Sequence, residues 1–318
     1  MIEIGLVGCG RVAHDIYAKT LRGRDAYRVR FVVDTDEAQA LSAAELFRAE
    51  VAELEEVIQK ADAIFVSTPP STHADVVRAC LGPGRLILCE KPYMTSYDDA
   101  RAVTDEAREA GARLYVNHFR RVFPQVELAR ELMRLGVIGN VHQVRAAEGG
   151  RFIWDAVSGY TLREPTGGVL WDTGSHTLDL VLYAAGLDQH ATVDASGIRV
   201  RRDKPEPSHD FRARFELEAG GRAISARLDL SRKEALPNFV FLTGTEGEIG
   251  FITDVDDRVR LTTRRGTTVL HAGRSYEYAL ECFDVAFQRI LLGEATAEAF
   301  AVESVVGQIK LLEALSSG

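Results

Sequence analysis

The stretch GLVGCGRVA, residues 5–13, decides the fold. It closes an apolar, strand-like run, IEIGLVG (2–8), and opens a helical pattern over 11–21. Within it, Gly8-Cys9-Gly10-Arg11-Val12-Ala13 spells G-x-G-x-x-A. Each small residue has a physical reason in a dinucleotide-binding turn. Gly8 permits the tight turn, Gly10 lets backbone approach a pyrophosphate, and Ala13 lets the helix pack on the strand. The helix N-terminus, beginning at Arg11 and Val12, then attracts phosphate. The sequence FVVDTD places Asp34 at the end of the next strand, 21 residues after Ala13. A carboxylate there accepts hydrogen bonds from ribose hydroxyls and repels a 2′-phosphate, so NAD is expected over NADP.

The same alternation continues outward. Short β-rich runs at 27–34, 61–68, 85–91 and 112–118 alternate with helical patterns at 38–47, 53–60, 72–81 and 96–110. Apolar strands separated by helices predict βαβ units and a doubly wound parallel sheet, a Rossmann-type α/β domain. Ser96 is placed to cap the last of these helices and Gly111 to stop it. The C-terminal ends of the strands border the ligand crevice. That brings Thr68 and Pro69 of STPPSTH near the cofactor, with Ser71 or Thr72 capping the next helix. His73 either reaches a ribose or phosphate or is a solvated first-turn residue. Glu90 and Lys91 end the strand RLILCEKPY, where a side chain points at ligands, although a surface ion pair reads equally well there. Pro92 restricts Lys91 to extended backbone.

Beyond about residue 120 the texture changes. A helix over 122–135 leads to GNVHQVRAAEGG, an irregular stretch 150–166 and a helix over 168–185. Strands then follow one another from about 190 to 271. In DFRARFELEAGGRAISARLDL the apolar side chains alternate strictly with polar ones, which predicts an antiparallel hairpin with one packed face. The charged stretch RRDKPEPSHD (201–210) reads as a loop. Two helices close the chain, one carrying Tyr276, Leu280, Phe283, Phe287 and Ile290, the other Val302, Val305, Val306, Ile309 and Leu312. The domain reading is 1–119 and 120–318, with the last helices free to pack back on the first domain.

The helix GGVLWDTGSHTLDL (167–180) poses a question. It is apolar on most sides, yet Asp172, His176 and Asp179 fall within a stripe of roughly 60°. Buried Asp needs a partner. Either the stripe is a satisfied internal network, or it faces a polar cavity.

Bulk properties narrow the function classes. The chain has 318 residues, 46% of them hydrophobic and 27% charged, with a net charge of −9. Interspersed charge of this sign argues against a nucleic-acid binder. Cys9, Cys80, Cys89 and Cys282 show no metal or disulfide spacing and read as reduced thiols of a cytoplasmic protein. No signal peptide and no membrane span is evident. No third ligand is placed beside Asp172 and His176, so no metal is expected.

Together, the G-x-G-x-x-A start, Asp34, EKP (90–92) and GGVLWDTGSHTLDL resemble the glucose–fructose oxidoreductase / inositol dehydrogenase (Gfo/Idh/MocA) family over essentially the whole chain. The resemblance implies a Rossmann domain followed by an α/β domain with an open, mostly antiparallel sheet. It implies a cis peptide in EKP and a catalytic trio of Lys91, Asp172 and His176, the latter two facing the nicotinamide crevice opposite Lys91. In that mechanism His176 is the proton acceptor, Lys91 stabilises the developing alkoxide and Asp172 orients, while Asp179 supports. By the same analogy the loop 150–166 lines the substrate site, with Trp154, Asp155 and Tyr160 as contacts. The second face of the antiparallel sheet is then a contact between copies, giving a homodimer or homotetramer. The implied function is an NAD-dependent dehydrogenase or reductase acting on a sugar, polyol or sugar derivative. Alternatives are an NAD-dependent glycosidase using transient oxidation and a non-catalytic NAD-binding regulator.

Overall fold

The computed structural model describes residues 1–152, 159–188, 194–219, 221–274, 277 and 279–318. The contacts divide the chain into two compact units, each with its own sheet.

Met1–Asn117 and Phe283–Val302 belong to the first unit. Its sheet is built from β1 (Ile2–Val7), β2 (Tyr27–Val33), β3 (Glu50–Val51), β4 (Ala63–Val66), β5 (Leu86–Cys89) and β6 (Arg113–Val116), in the order β3-β2-β1-β4-β5-β6. All pairs are parallel. This is the doubly wound order whose switch point lies between β1 and β4. Every residue of β4 and β5 is buried, because helices cover both faces of such a sheet. The helices Glu37–Phe47, Leu54–Lys60, His73–Cys80 and Tyr97–Glu109 lie where the hydrophobic period predicts them. Ser96 caps the last, its hydroxyl accepting the Asp99 N–H, and Gly111 follows that helix at φ +67°.

Three details differ from expectation. β3 is only two residues long, too short to carry a period. Thr72 stands at the N-cap of His73–Cys80 without a side-chain cap bond, and its hydroxyl instead donates to the Pro69 carbonyl at 2.8 Å. Within the first helical stretch, Ala13–Tyr17 forms a π-helical turn in which the Ala18 N–H reaches back to the Ala13 carbonyl.

Residues 118–152 with Thr161–Cys282 and Glu303–Gly318 belong to the second unit. Its sheet runs β14-β13-β12-β11-β7-β10-β9-β8, with β7 (Val141–Gly149), β8 (Asp194–Arg202), β9 (Asp210–Ala219), β10 (Arg222–Ser231), β11 (Phe239–Gly244), β12 (Gly247–Ile252), β13 (Arg258–Thr263) and β14 (Gly266–His271). Only β7–β10 pairs in parallel. β9 and β10 form the expected hairpin, with Ala226 opposite Phe215 and Asp229 opposite Arg212. β8 extends to Arg202 and β9 begins at Asp210, so the segment read as a loop over 201–210 is shorter than expected. The helix Val169–Ala184 packs against β7, β10 and β11. Gly174 makes that approach possible, since a Cβ there would lie 2.8 Å from Leu230 Cδ1. Gly168 has φ +22°, and a Cβ there would collide with the Glu206 carboxylate. The last helix is Val306–Ser317, with Val302 and Val305 ahead of it. The preceding helix starts at Ala279, and Tyr276 lies outside the described residues. No helix among the described residues is long and apolar enough to cross a membrane.

Candidate active site

In the first unit the G-x-G-x-x-A turn closes β1 at the switch point. Gly8 adopts φ +94°, and a Cβ there would lie 2.5 Å from the Thr68 amide nitrogen. Only glycine fits, because two strand ends cross at backbone distance. Gly10 is different, since a Cβ there meets nothing within 4 Å. No protein contact explains its lack of a side chain. The open space beside it suits a ligand that comes close to the backbone. Ala13 is fully buried and lets the helix approach the sheet. Arg11 is exposed and pairs with Asp15 at 2.5 Å.

Asp34 is anchored in place by two backbone donors. The Cys9 N–H donates to Oδ2 at 2.7 Å and the Asp36 N–H to Oδ1 at 2.9 Å. The carboxylate is therefore tied to the glycine turn, with lone pairs remaining for hydroxyls. Burial pushes the Cys9 thiol up to about 12, so the turn carries no thiolate. These residues fit a bound dinucleotide: an open glycine turn, a helix N-terminus and a fixed carboxylate.

His73 corrects both expectations, since it is not solvated and its ring nitrogens face backbone carbonyls rather than a ribose or phosphate. It is fully buried, with Nδ1 at 3.1 Å from the Pro92 carbonyl and 3.0 Å from that of Tyr93, and Nε2 at 2.9 Å from the Thr68 carbonyl. Burial lowers its pKa. Its ring thus ties the Thr68–Pro69 turn to the segment after Lys91. The Lys91–Pro92 peptide is cis, as the resemblance implies. Glu90 also departs from the surface-pair reading. It is buried, and it accepts hydrogen bonds from the Tyr17 hydroxyl and the Asn117 side-chain amide, each at 2.6 Å.

In the second unit the polar stripe of Val169–Ala184 divides. Asp179 is buried and accepts from Arg121 Nε at 2.9 Å and Nη2 at 2.5 Å. Arg121 also donates to the Ser304 hydroxyl at 2.6 Å and lies over the Tyr183 ring. That end of the stripe is a satisfied internal network. The other end is more open. Asp172 keeps 24% of its side chain exposed and pairs with buried Arg232 at 2.6 Å. Arg232 and Thr173 line a cavity of about 300 Å3 shared with Glu148, Arg151, Phe152, Ser231 and Asn238. His176, half-buried between these ends, meets the rings of Phe119 at 5.8 Å and His118 at 6.5 Å, edge to face. His118 Nδ1 lies 3.5 Å from Asp179 Oδ2. The stripe is therefore a satisfied network at its Asp179 end and a paired but partly exposed one at its Asp172 end.

Arg121, His118 and Arg232 are not legible as site residues in the sequence. The one signal is indirect, since a buried Asp179 demands a cation from somewhere. Of the substrate-loop residues, Tyr160 is buried at the start of a short helical turn, and Trp154 and Asp155 lie outside the described residues. No cluster of three or more metal-ligating side chains occurs among the described residues.

Comparison with known proteins finds two family models that match the chain. Residues 2–118 match the model of an oxidoreductase family with an NAD-binding Rossmann fold, and residues 126–250 match the GFO/IDH/MocA C-terminal domain. An uncharacterized oxidoreductase of Streptococcus pneumoniae is 31% identical over 192 residues, covering 58% of this chain and 51% of that protein. Inositol 2-dehydrogenase of Rhizobium meliloti is 27% identical over 197 residues, covering 58% and 55%. The chain thus spans about half the length of the curated relatives it matches. The crystal structure of an oxidoreductase from Sinorhizobium meliloti superposes with a TM-score of 0.78 at 18% identity, covering 99% of this chain and 96% of that one. With both of its domains matched by family models, the chain belongs to the GFO/IDH/MocA oxidoreductase family.

Proposed function

We propose that this protein is an NAD-dependent oxidoreductase that interconverts a secondary alcohol and a ketone on a sugar, polyol or sugar derivative. What supports the reading is an open dinucleotide turn at Gly8–Ala13 in the first unit and, separately, the partly exposed polar side chains of Asp172 and His176 in a second unit that the family's C-terminal model matches. When bound, nicotinamide supplies the hydride acceptor or donor. The residues of the chain supply orientation and proton transfer. His176 accepts the hydroxyl proton during oxidation and returns it during reduction. Lys91 hydrogen-bonds the reacting oxygen and stabilises charge developing on it. Asp172, fixed by Arg232, orients the substrate hydroxyls. Purified protein with NAD and a panel of polyols and sugars tests the reading through net formation of NADH.

NAD is the proposed cofactor because Asp34 is a fixed negative charge where a 2′-phosphate would add another. NAD binds at least about tenfold more tightly than NADP, a difference of roughly 1.4 kcal/mol. Asp34→Ser narrows that gap in titrations of both cofactors. Equal dissociation constants in the wild type would refute the assignment.

We also propose self-association through the second face of the large sheet. That face presents exposed Arg212, Arg214, Glu216 and Arg227, with Asp229 paired to Arg227 at 2.8 Å. Arg–carboxylate pairs between copies suit such a surface. Light scattering at micromolar concentration then reports a dimer or tetramer, and a monomer contradicts the proposal.

A further inference from the structure

We propose that the cavity lined by Thr173, Arg151 and Asn238 holds a carboxylate of the substrate, so that the polyhydroxylated compound this protein acts on is a sugar acid. The inference deepens the reading of Asp172 and His176 as the substrate face and rests on it.

The cavity, of about 300 Å3, lies wholly within the second unit. Several polar groups in its wall are already engaged by protein partners. Glu148 accepts from Arg120 Nη1 at 2.8 and 3.0 Å and from the Thr177 hydroxyl at 2.7 Å. The Ser231 hydroxyl donates to Asp210 at 2.6 Å and accepts the N–H groups of Lys233 and Glu234. Arg232 donates to Asp172 at 2.6 Å, and its guanidinium lies 4.5 Å from the centre of the Phe152 ring. Each of the two carboxylates, Glu148 and Asp172, is thus matched by an arginine.

The groups that remain are donors. Asn238 Oδ1 accepts the Gly149 N–H at 2.7 Å. An N–H can only donate, so the oxygen is the bound end of this amide, and Nδ2 with its two hydrogens is the other end. The residue is held there at φ +49°, a left-handed conformation that asparagine tolerates. Among the described residues neither Nδ2 nor the Thr173 hydroxyl has a hydrogen-bond partner, and neither is a buried atom. Arg151 adds an exposed guanidinium with no ion pair among the described residues. Gly150, also in the wall, has no positive φ, and a Cβ there would meet nothing within 4 Å among the described residues. Neither conformation nor packing calls for glycine at that position, whereas a ligand approaching the backbone does.

An amide nitrogen and a guanidinium can only donate. A neutral hydroxyl group placed against them accepts, but its own hydrogen is left without an acceptor on that wall. A carboxylate has no hydrogen to place and accepts at both oxygens. Its charge also offsets that of Arg151, and a guanidinium and a carboxylate form the stronger, charge-assisted kind of hydrogen bond. The donor surplus and the unmatched arginine therefore select the same group.

The test uses the full chain with NAD and a panel of aldonates and uronates, each beside the neutral alditol or aldose of the same configuration. The preferred acid exceeds its neutral counterpart in kcat/KM by at least about tenfold. Asn238→Asp keeps an oxygen on the Gly149 N–H and turns the other end from donor to anion, while Arg151→Gln removes the unmatched charge. Each lowers the acid-to-neutral ratio by about tenfold, through KM for the acid rather than kcat, with the melting temperature near that of the wild type. Calorimetric titration of the same acids into the NAD-bound protein reads binding without turnover. Acids that bind, and bind more weakly to both variants, while no compound yields NADH, leave the cavity assignment standing and remove the oxidoreductase reading. NADH formed from the neutral compounds at least as readily as from their acids overturns the inference and leaves that reading intact. A preference for acids that both variants retain overturns it as well, and so does a preference for sugar phosphates over the acids.

Discussion

His176→Ala lowers kcat by about 10²–10⁴-fold, the usual cost of removing a general base, while NAD affinity changes little. The imidazole is half-buried on Val169–Ala184, held between the Phe119 and His118 rings, with the Asp179–Arg121 network behind it and the open Asp172 end ahead of it. It is oriented but not sealed. Lys91→Ala also lowers kcat, through loss of the donor to the reacting oxygen. Melting temperature measured beside kcat separates chemistry from packing. A variant that melts early yet keeps near-normal turnover per folded molecule would make His176 a core residue only.

The second large effect is on stability. Arg121→Met destabilises the protein by about 3–5 kcal/mol, because it leaves Asp179 as an unpaired buried charge. Both side chains are almost fully buried, at 1% and 2% exposure, and the guanidinium bridges Asp179 to the Ser304 hydroxyl. His118 does not replace it, since its nearest contact with Asp179 is 3.5 Å. The double variant Arg121→Met/Asp179→Leu recovers much of the loss, because removing both charges also removes the desolvation penalty. Urea unfolding of the two variants checks this. A single-variant loss below about 1 kcal/mol, the scale of exposed pairs, would contradict it.

The parallel domain is legible because its signals are local. Apolar strand runs, helical periods and G-x-G-x-x-A each occupy a few consecutive residues, and the observed strands and helices follow them. The antiparallel hairpin is legible for the same reason, since Phe211, Ala213, Phe215 and Leu217 alternate without a break. What stays hidden depends on distance along the chain. Arg121 and Asp179 are 58 positions apart, and Arg232 and Asp172 are 60 apart. In a linear reading each arginine is a solvated charge. Glu90 reads as a surface carboxylate because its partner Tyr17 lies 73 positions earlier. The π-helical turn leaves no mark, since AHDIY has ordinary helical composition. His73 reads as wet because a first-turn histidine usually is, whereas here the carbonyls of Thr68, Pro92 and Tyr93 enclose it.

The central claim is that the chain transfers hydride between NAD and a polyhydroxylated substrate. The most direct measurement is NADH absorbance after mixing purified protein and NAD with polyols, sugars and sugar phosphates in turn. The account predicts net NADH accumulating in step with the ketone formed, from at least one of these compounds, and no such signal from His176→Ala. NAD that binds tightly yet never accumulates as NADH, or a sugar released from a glycoside with no net change in the cofactor, would contradict it.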